Sequence, residues 1–145
     1  MNDIGRIYSS MVAAAVIDVA VTGSSYTCDP PVTTTDRDYL VLVDNLDTAG
    51  CDLKDAGWVN CLKDWEERAD TDPGTRCDDY SIEIEGGARF QAWRLGELNV
   101  IVTDDVALHT RSRAATELCK ALNLTEKADR IALFRCVKFG EHFEW

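Results

Sequence analysis

The sequence predicts an α+β (mixed α/β) fold, in which helices flank a mixed sheet and two further helices end the chain. Three observations support this prediction: short runs are rich in β-branched residues, one segment alternates polar and apolar residues, and helical spacing dominates the C-terminal part. A chain of 145 residues suits one domain, 1–145. We expect 1–103 to form a sheet-containing core and 104–145 to be helical.

The individual elements follow from apolar spacing and from the glycines and prolines that interrupt it. Asp104 or Asp105 is expected to cap the first C-terminal helix, and Thr125 the second, which ends at Gly140. The expected elements are a helix at 3–15, a strand at 16–22, a loop at 30–35, a strand at 39–43, a helix within 46–65, a turn at 73–74, a hairpin of 80–85 with 88–96, a strand at 98–103, and helices at 104–122 and 125–140.

Composition and charge limit the classes of partner. The chain is 46% hydrophobic and 28% charged, as in folded proteins, and its net charge of −11 disfavours nucleic-acid backbones as partners. The apolar stretch from Met11 to Val21 is interrupted by Asp18 and is much shorter than the roughly 20 apolar residues of a membrane span. We therefore expect a cytoplasmic protein that does not associate with membranes.

The cysteines do not predict a metal site. None of the six is arranged as C-x-x-C, and the chain has only two histidines, His109 and His142, for which a surface or structural role is expected. Six cysteines would permit three disulfides in a secreted protein, but a cytoplasmic location favours reduced thiols. The cysteines are Cys28, Cys51, Cys61, Cys77, Cys119 and Cys136.

Two acids, Asp36 and Asp38, begin the apolar strand at 39–43 and are the main candidates for a functional site. Alternate residues of a strand point to the same side, so these two acids share a face and their Cα atoms lie roughly 6.5 Å apart. Such a pair can bind a hard divalent cation such as Mg²⁺. Gly23 lets a phosphate approach the backbone, and Ser24 with Ser25 offers hydrogen bonds to it. The alternative is a solvated acidic pair that caps a turn.

The combination of these residues resembles the signature of the nucleotidyltransferase superfamily with the DNA polymerase beta-like fold. The signature consists here of Gly23-Ser24, a spacer of eleven residues, and Asp36-Arg37-Asp38-Tyr39. The end of the chain is similar to small nucleotidyltransferase-like proteins of tailed bacteriophages, which would place it in the host cytoplasm. The resemblance implies that Gly23 and Ser24 hold a nucleoside triphosphate and that Asp36 and Asp38 bind Mg²⁺ or Mn²⁺.

The resemblance also implies a third carboxylate on a later strand, and here the sequence departs from the family. The expected position falls on Asn99, whose amide can coordinate a metal but cannot act as a general base. Glu97, two residues earlier and on the same face of an extended strand, is one substitute. Glu83 and Glu85 are another candidate pair, although the solvent face of an antiparallel strand is the better explanation of them.

Lys127 and Arg130 are three residues apart on a predicted helix and face the same way, which makes them candidates for phosphate contacts. With Arg111 and Arg113 they would form a cationic rim. The alternative is a solvated basic face of a helix in an acidic protein. The sequence favours the solvated helix face.

The resemblance leads to a functional expectation: a Mg²⁺-dependent nucleotidyltransferase that transfers a nucleotidyl group from a nucleoside triphosphate to an acceptor hydroxyl. The net charge favours a protein or small molecule over nucleic acid as acceptor. The alternative is a catalytically degenerate module that binds nucleotide or protein, such as a viral effector. A third possibility is a structural protein with solvated acids.

Overall fold

The computed structural model describes residues 2–31, 36–61, 83–85 and 88–139. Within these ranges the chain forms five helices and six strands. In chain order they are α1 (Asp3–Ser10), β1 (Val16–Thr22), α2 (Ser24–Thr27), β2 (Arg37–Val43), α3 (Leu46–Asp55), β3 (Val59–Asn60), β4 (Glu83–Glu85), β5 (Ala88–Leu95), β6 (Leu98–Thr103), α4 (Val106–Leu122) and α5 (Lys127–Phe139).

The strands form a mixed sheet in the order β1-β2-β6-β5-β3, and β4 also pairs with β5. The central pair, β2 and β6, is parallel, whereas β1 with β2 and β5 with β6 are antiparallel. The α+β fold class is therefore confirmed, together with the four longer predicted strands and the hairpin of β4 with β5. The turn at 73–74 and the helix end at Gly140 lie outside the described residues.

Helices cover both faces of the sheet. On one face, α1 and α3 bury a core that includes Ile7, Leu46 and Leu53, packed against Val41 of β2 and Trp93 of β5. Burying an aliphatic side chain of this kind contributes about 1.5–3 kcal/mol, so this face supplies much of the folding free energy. On the other face lies α4. In the described part of the chain, no helix has the length and apolar character needed to span a membrane.

Two predicted helices are shorter than their sequence patterns indicate. Helix α1 ends at Ser10 rather than at residue 15, because the Asp52 carboxylate accepts the Ala14 N–H at 2.9 Å and Ala15 adopts φ +61°. Helix α3 ends at Asp55 because the chain turns at Gly57, φ +90°, and then forms the short strand β3. Both corrections come from turns that apolar spacing does not encode.

The two acids at the start of α4 have different tasks. Asp105 is the N-cap, and its Oδ1 accepts the Leu108 N–H at 2.9 Å. Asp104 instead accepts from Arg89 Nη2 at 2.9 Å and from the Leu46 N–H at 3.4 Å, which joins α3 to the sheet. Helix α5 begins at Lys127, two residues after the predicted cap Thr125.

A polar seam attaches α4 to β1. The Thr22 and Thr116 hydroxyls lie 2.7 Å apart, and the buried His109 Nε2 lies 2.7 Å from Asp18 Oδ2. Hydrogen bonding to His109 and the nearby Arg113 guanidinium hold the pKa of Asp18 below its usual value. His109 therefore has the structural role expected of it, whereas His142 lies outside the described residues. None of the five described cysteines is in a disulfide.

Candidate functional site

A row of polar side chains crosses four strands at one end of the sheet. Asp38 of β2 is in register with Thr22 of β1 and Asn99 of β6, and Asn99 is in register with Arg94 of β5. Residues in register on neighbouring strands share a face, so these four side chains form one line, which we call the polar row. Arg94 Nε donates to Asn99 Oδ1 at 3.3 Å.

The next position along the same face is apolar. Two residues further on, Ala20, Leu40, Ile101 and Ala92 are in register across the same four strands, and we call them the apolar row. The strand rise places it roughly 6.5 Å from the polar row. One face of the sheet thus offers oxygen ligands beside an apolar surface.

Helix α5 lies over these two rows. It packs mainly on α4 and stands off the sheet, which leaves a cleft of about 410 Å³ between helix and strands. This volume lies within the usual range of small-molecule sites, about 300–1,000 Å³. The floor of the cleft includes Asp38, Leu40, Asn99 and Ile101, and its roof is formed by Lys127, Arg130, Ile131, Phe134 and Lys138 of α5.

The electrostatics of the cleft centre on Asp38. Its carboxylate is partly buried, and burial, followed by the nearby charge of Asp36, raises its pKa above the usual value. A hydrogen bond with Asn99 and the charge of Arg94 offset part of this effect. Among the described residues, neither Asp36 nor Asp38 forms an ion pair within 4.0 Å. The pair therefore holds negative charge that is only partly compensated.

This charge distribution fits a hard divalent cation. Mg²⁺ is commonly bound by one or two carboxylates, with substrate phosphates as further ligands. Asp36 and Asp38 supply the carboxylates, and Asn99 supplies an amide beside them. The described residues contain no group of three or more His, Cys, Asp or Glu side chains arranged to hold a metal. A cation bound at Asp36 and Asp38 would need its further ligands from substrate or water.

Gly23 brings the start of α2 against Asp38. It adopts φ +82°, and a Cβ added there would overlap the Asp38 carboxylate. Ser24 follows and lines a second groove of about 320 Å³ beneath α5, together with Lys127 and Arg130. Ser25 is half-buried in α2 and is not among the residues that line the cleft.

Replacing Gly23 by Ala is expected to destabilise the protein by about 2–4 kcal/mol, because a left-handed backbone costs about 1–2 kcal/mol and overlap with Asp38 adds to it. Gly57→Ala is a matched control, since Gly57 has φ +90° but open space around it. Gly57→Ala should lower the free energy of unfolding only by the cost of the left-handed backbone, about 1–2 kcal/mol. Chemical denaturation of both variants measures the difference, and equal losses would contradict the close approach to Asp38.

Glu97 does not lie where the sequence places it. It is in the turn before β6, next to Gly96 at φ +62°, so it is not on the extended strand that carries Asn99. Its Oε2 lies 3.7 Å from Arg37 Nη1, and Arg37 also pairs with Asp3 of α1 at 2.8 Å. Arg37 alternates with Asp38 along β2, so Glu97 is engaged on the opposite face of the sheet.

The structure brings together some of the predicted cations. Lys127 and Arg130 line the cleft, and Arg130 Nη1 donates to the Thr125 and Leu124 carbonyls at 2.8 and 3.0 Å. Arg113 instead pairs with Asp18 at 3.1 Å and does not line the cleft, so the predicted cationic rim does not include it. Glu83 and Glu85 belong to β4, which pairs with β5 and is separated from β2 by β5 and β6.

The residues of the site that were not predicted include Lys138 and Phe134 of the roof, and Arg94 of the polar row. Helical spacing contains the signal for the first two, because positions 127, 130, 134 and 138 repeat at intervals of three and four. Arg94 becomes visible only through the pairing of β5 with β6. No comparable local pattern exists for it.

Comparisons with known proteins add no relative to this picture. No family model matches the chain. No curated protein and no solved structure matches it either. The indications of function therefore come from the chain itself, where Asp38 and Asn99 face the cations of α5 across the cleft and Asp36 lies near Asp38.

Proposed function

We propose that the cleft binds a nucleoside triphosphate with Mg²⁺ or Mn²⁺ and transfers its nucleotidyl group to an acceptor hydroxyl. The observation that carries this proposal is the opposition of charges across the cleft: Asp38 lies on its floor, and Lys127 and Arg130 lie on α5 above it. Asp36 precedes β2, and its charge acts on Asp38. A polyphosphate with a bound cation carries both signs of charge, and this cleft offers a partner for each.

Each part of the chain has a distinct task in this proposal. Asp36 and Asp38 hold the cation, which supplies neutralisation of the charge that develops on the reacting phosphate. Lys127 and Arg130 orient the phosphates, and the backbone at Gly23 admits them close to Asp38. In the reaction an acceptor oxygen bonds to the α-phosphorus, pyrophosphate leaves, and the hydroxyl proton passes to solvent. Positioning contributes most of the catalysis.

The acceptor in this proposal is a protein or a small molecule. The net charge of −11 disfavours approach of a polyanionic nucleic acid. Within the cleft the basic side chains belong to α5, where they face the floor that carries Asp38. These cations are then engaged by the triphosphate.

Asn99 favours a second candidate function, a nucleotide-binding module without turnover. It stands level with Asp38, where the resembling family has a carboxylate, and a neutral amide cannot take the proton of the acceptor hydroxyl. Glu97 lies in the turn before β6, and its side chain faces Arg37 on the opposite face of the sheet rather than Asp38. Binding and transfer must therefore be measured separately.

The test uses the full chain, Mn²⁺ and each nucleoside triphosphate labelled at the α-phosphate, with and without host extract. Transfer of label to an acceptor, lost in an Asp36→Asn/Asp38→Asn variant by at least about 100-fold, is expected for the enzyme. Asp44→Asn is the control, because Asp44 is an exposed acid just beyond the other end of β2. Cation-dependent binding without transfer supports the module, and absence of binding contradicts both.

A further inference from the structure

We propose that the cleft binds the nucleobase by stacking on Phe134 and by contact with the apolar row, and that it therefore accepts the four common nucleoside triphosphates with similar affinity. This inference rests on the proposed function and specifies its substrate class. It concerns the apolar half of the cleft, to which the charged groups contribute little.

The apolar half is made of hydrocarbon side chains, which can contact the face of a base but carry no hydrogen-bond donor or acceptor for its edge. Leu40 and Ile101 form its floor, and Ile131 and Phe134 of α5 form its roof. Ile131 is 48% exposed although it lines the cleft, and Phe134 is half-buried. These two side chains are accessible because α5 rests on α4 rather than on the sheet.

The uncharged polar side chains that line the cleft have partners outside its apolar half. The Tyr39 hydroxyl donates to Asp3 Oδ2 at 3.1 Å on the opposite face of the sheet. The Thr22 hydroxyl bonds with Thr116 at 2.7 Å, and the Thr27 hydroxyl lies 3.7 Å from Cys28 Sγ. Asn99 accepts from Arg94 at the polar end. None of these four is placed to read the edge of a base in the apolar half.

Lys138 is a charged residue of the roof, and its Nζ lies over the Phe134 ring, 5.9 Å from the centroid, and over the Phe90 ring at 5.5 Å. An ammonium group carries donors only. Every common base presents at least one acceptor, so Lys138 does not select one base over the others.

The size of the expected selectivity follows from the kind of contact. Sites that hydrogen-bond a substrate group reject analogues without it by about 10⁴- to 10⁵-fold, whereas apolar pockets discriminate only about 10- to 200-fold. Stacking on an aromatic side chain tolerates every base, because each has a π-face. Purines present more surface than pyrimidines, so we expect ATP and GTP to bind up to about tenfold more tightly than CTP and UTP.

Titration of the full chain with each triphosphate in the presence of Mn²⁺ tests the inference. Dissociation constants within about tenfold of one another are expected. Phe134→Ala should weaken all four by a similar factor, about 5- to 150-fold. Phe134→Leu keeps most of the apolar volume and should show a smaller, equally uniform loss. Tyr8→Ala is the matched control, since Tyr8 is an aromatic residue, 45% exposed, on α1.

The possible outcomes distinguish failure of this inference from failure of the proposed function. A preference of about 1,000-fold or more for one base overturns the inference, because only edge recognition produces it, and leaves the proposed function standing. Unchanged affinity in both folded Phe134 variants also overturns it. If the wild-type chain binds none of the four triphosphates, the proposed function fails and the inference fails with it.

Discussion

Replacing Asp38 by Asn is expected to make the protein more stable without cations and to abolish its response to Mn²⁺. The stabilisation follows from burial, which raises the pKa of Asp38 because its charged form is poorly solvated in the cleft. Asn keeps the shape and removes the charge. Substitutions that relieve strained functional sites commonly add about 0.5–2 kcal/mol, and we expect a gain at the lower end of that range.

The pH dependence gives this prediction a definite sign. A carboxyl group whose pKa is raised by folding favours the folded state below its unfolded value, 3.8, and loses that contribution as pH rises through the folded value. The wild-type chain and the variant should therefore have similar stability below pH 3.8 and differ increasingly above it. At neutral pH the variant is the more stable of the two.

Thermal denaturation with and without Mn²⁺ checks both parts. Addition of the cation should raise the melting temperature of the wild-type chain, because it binds the folded state, and leave Asp38→Asn unchanged. Asp44→Asn removes an acid at the far end of β2 and should retain the cation response. A wild-type chain that shows no response, or an Asp38→Asn chain that responds equally, contradicts the assignment of Asp38 as a metal ligand.

Asn99→Asp is expected to strengthen cation binding about tenfold. The introduced carboxylate would lie in register with Asp38 on the neighbouring parallel strand and would be the third carboxylate of the site, after Asp36 and Asp38. Affinity for hard cations rises with the charge of the ligands. Without cation the variant should be less stable, since the new charge repels Asp38. Arg94, which now donates to Asn99, offsets part of this cost.

The same variant separates the two candidate functions. A carboxylate at this position can take the proton of an acceptor hydroxyl, a contribution of about 10²- to 10⁴-fold in general-base catalysis. Faster transfer therefore supports the enzyme, and tighter binding without transfer supports the module. Isothermal titration with Mn²⁺ measures the affinity, and label transfer measures the rate. Asn45→Asp is the control, because position 45 caps α3 and accepts either residue.

Sequence patterns were sufficient for the parts of the fold with local causes. Short runs of β-branched and apolar residues, and one alternating segment, located the strands. Asn99 lies on the strand expected for it, in parallel register with Asp38. Glu97 was misplaced because Gly96 turns the chain just before β6. The length of α1 was misjudged because the Asp52 carboxylate, far along the chain, captures the Ala14 N–H.

The roof of the cleft shows what local patterns do not contain. Helical spacing identified α5, but not that it rests on α4 and stands off the sheet above the apolar row. That arrangement depends on side chains from several elements at once. Arg94 entered the site through strand pairing alone. Metal binding, nucleotide binding and transfer stay predictions, which the variants of Asp38, Asn99 and Phe134 test.

The turn between α4 and α5 is fastened to the loop that follows α2. Asn123 takes a left-handed conformation at the end of α4, φ +48°, and its side chain both accepts from the Asp29 N–H at 2.9 Å and donates to the Asp29 carbonyl at 3.0 Å. The turn that leads into α5 is thereby hydrogen-bonded to the segment that continues from Gly23 and Ser24. A tilt of α5 is therefore expected to shift that segment, which links the width of the cleft to the position of Gly23 beside Asp38.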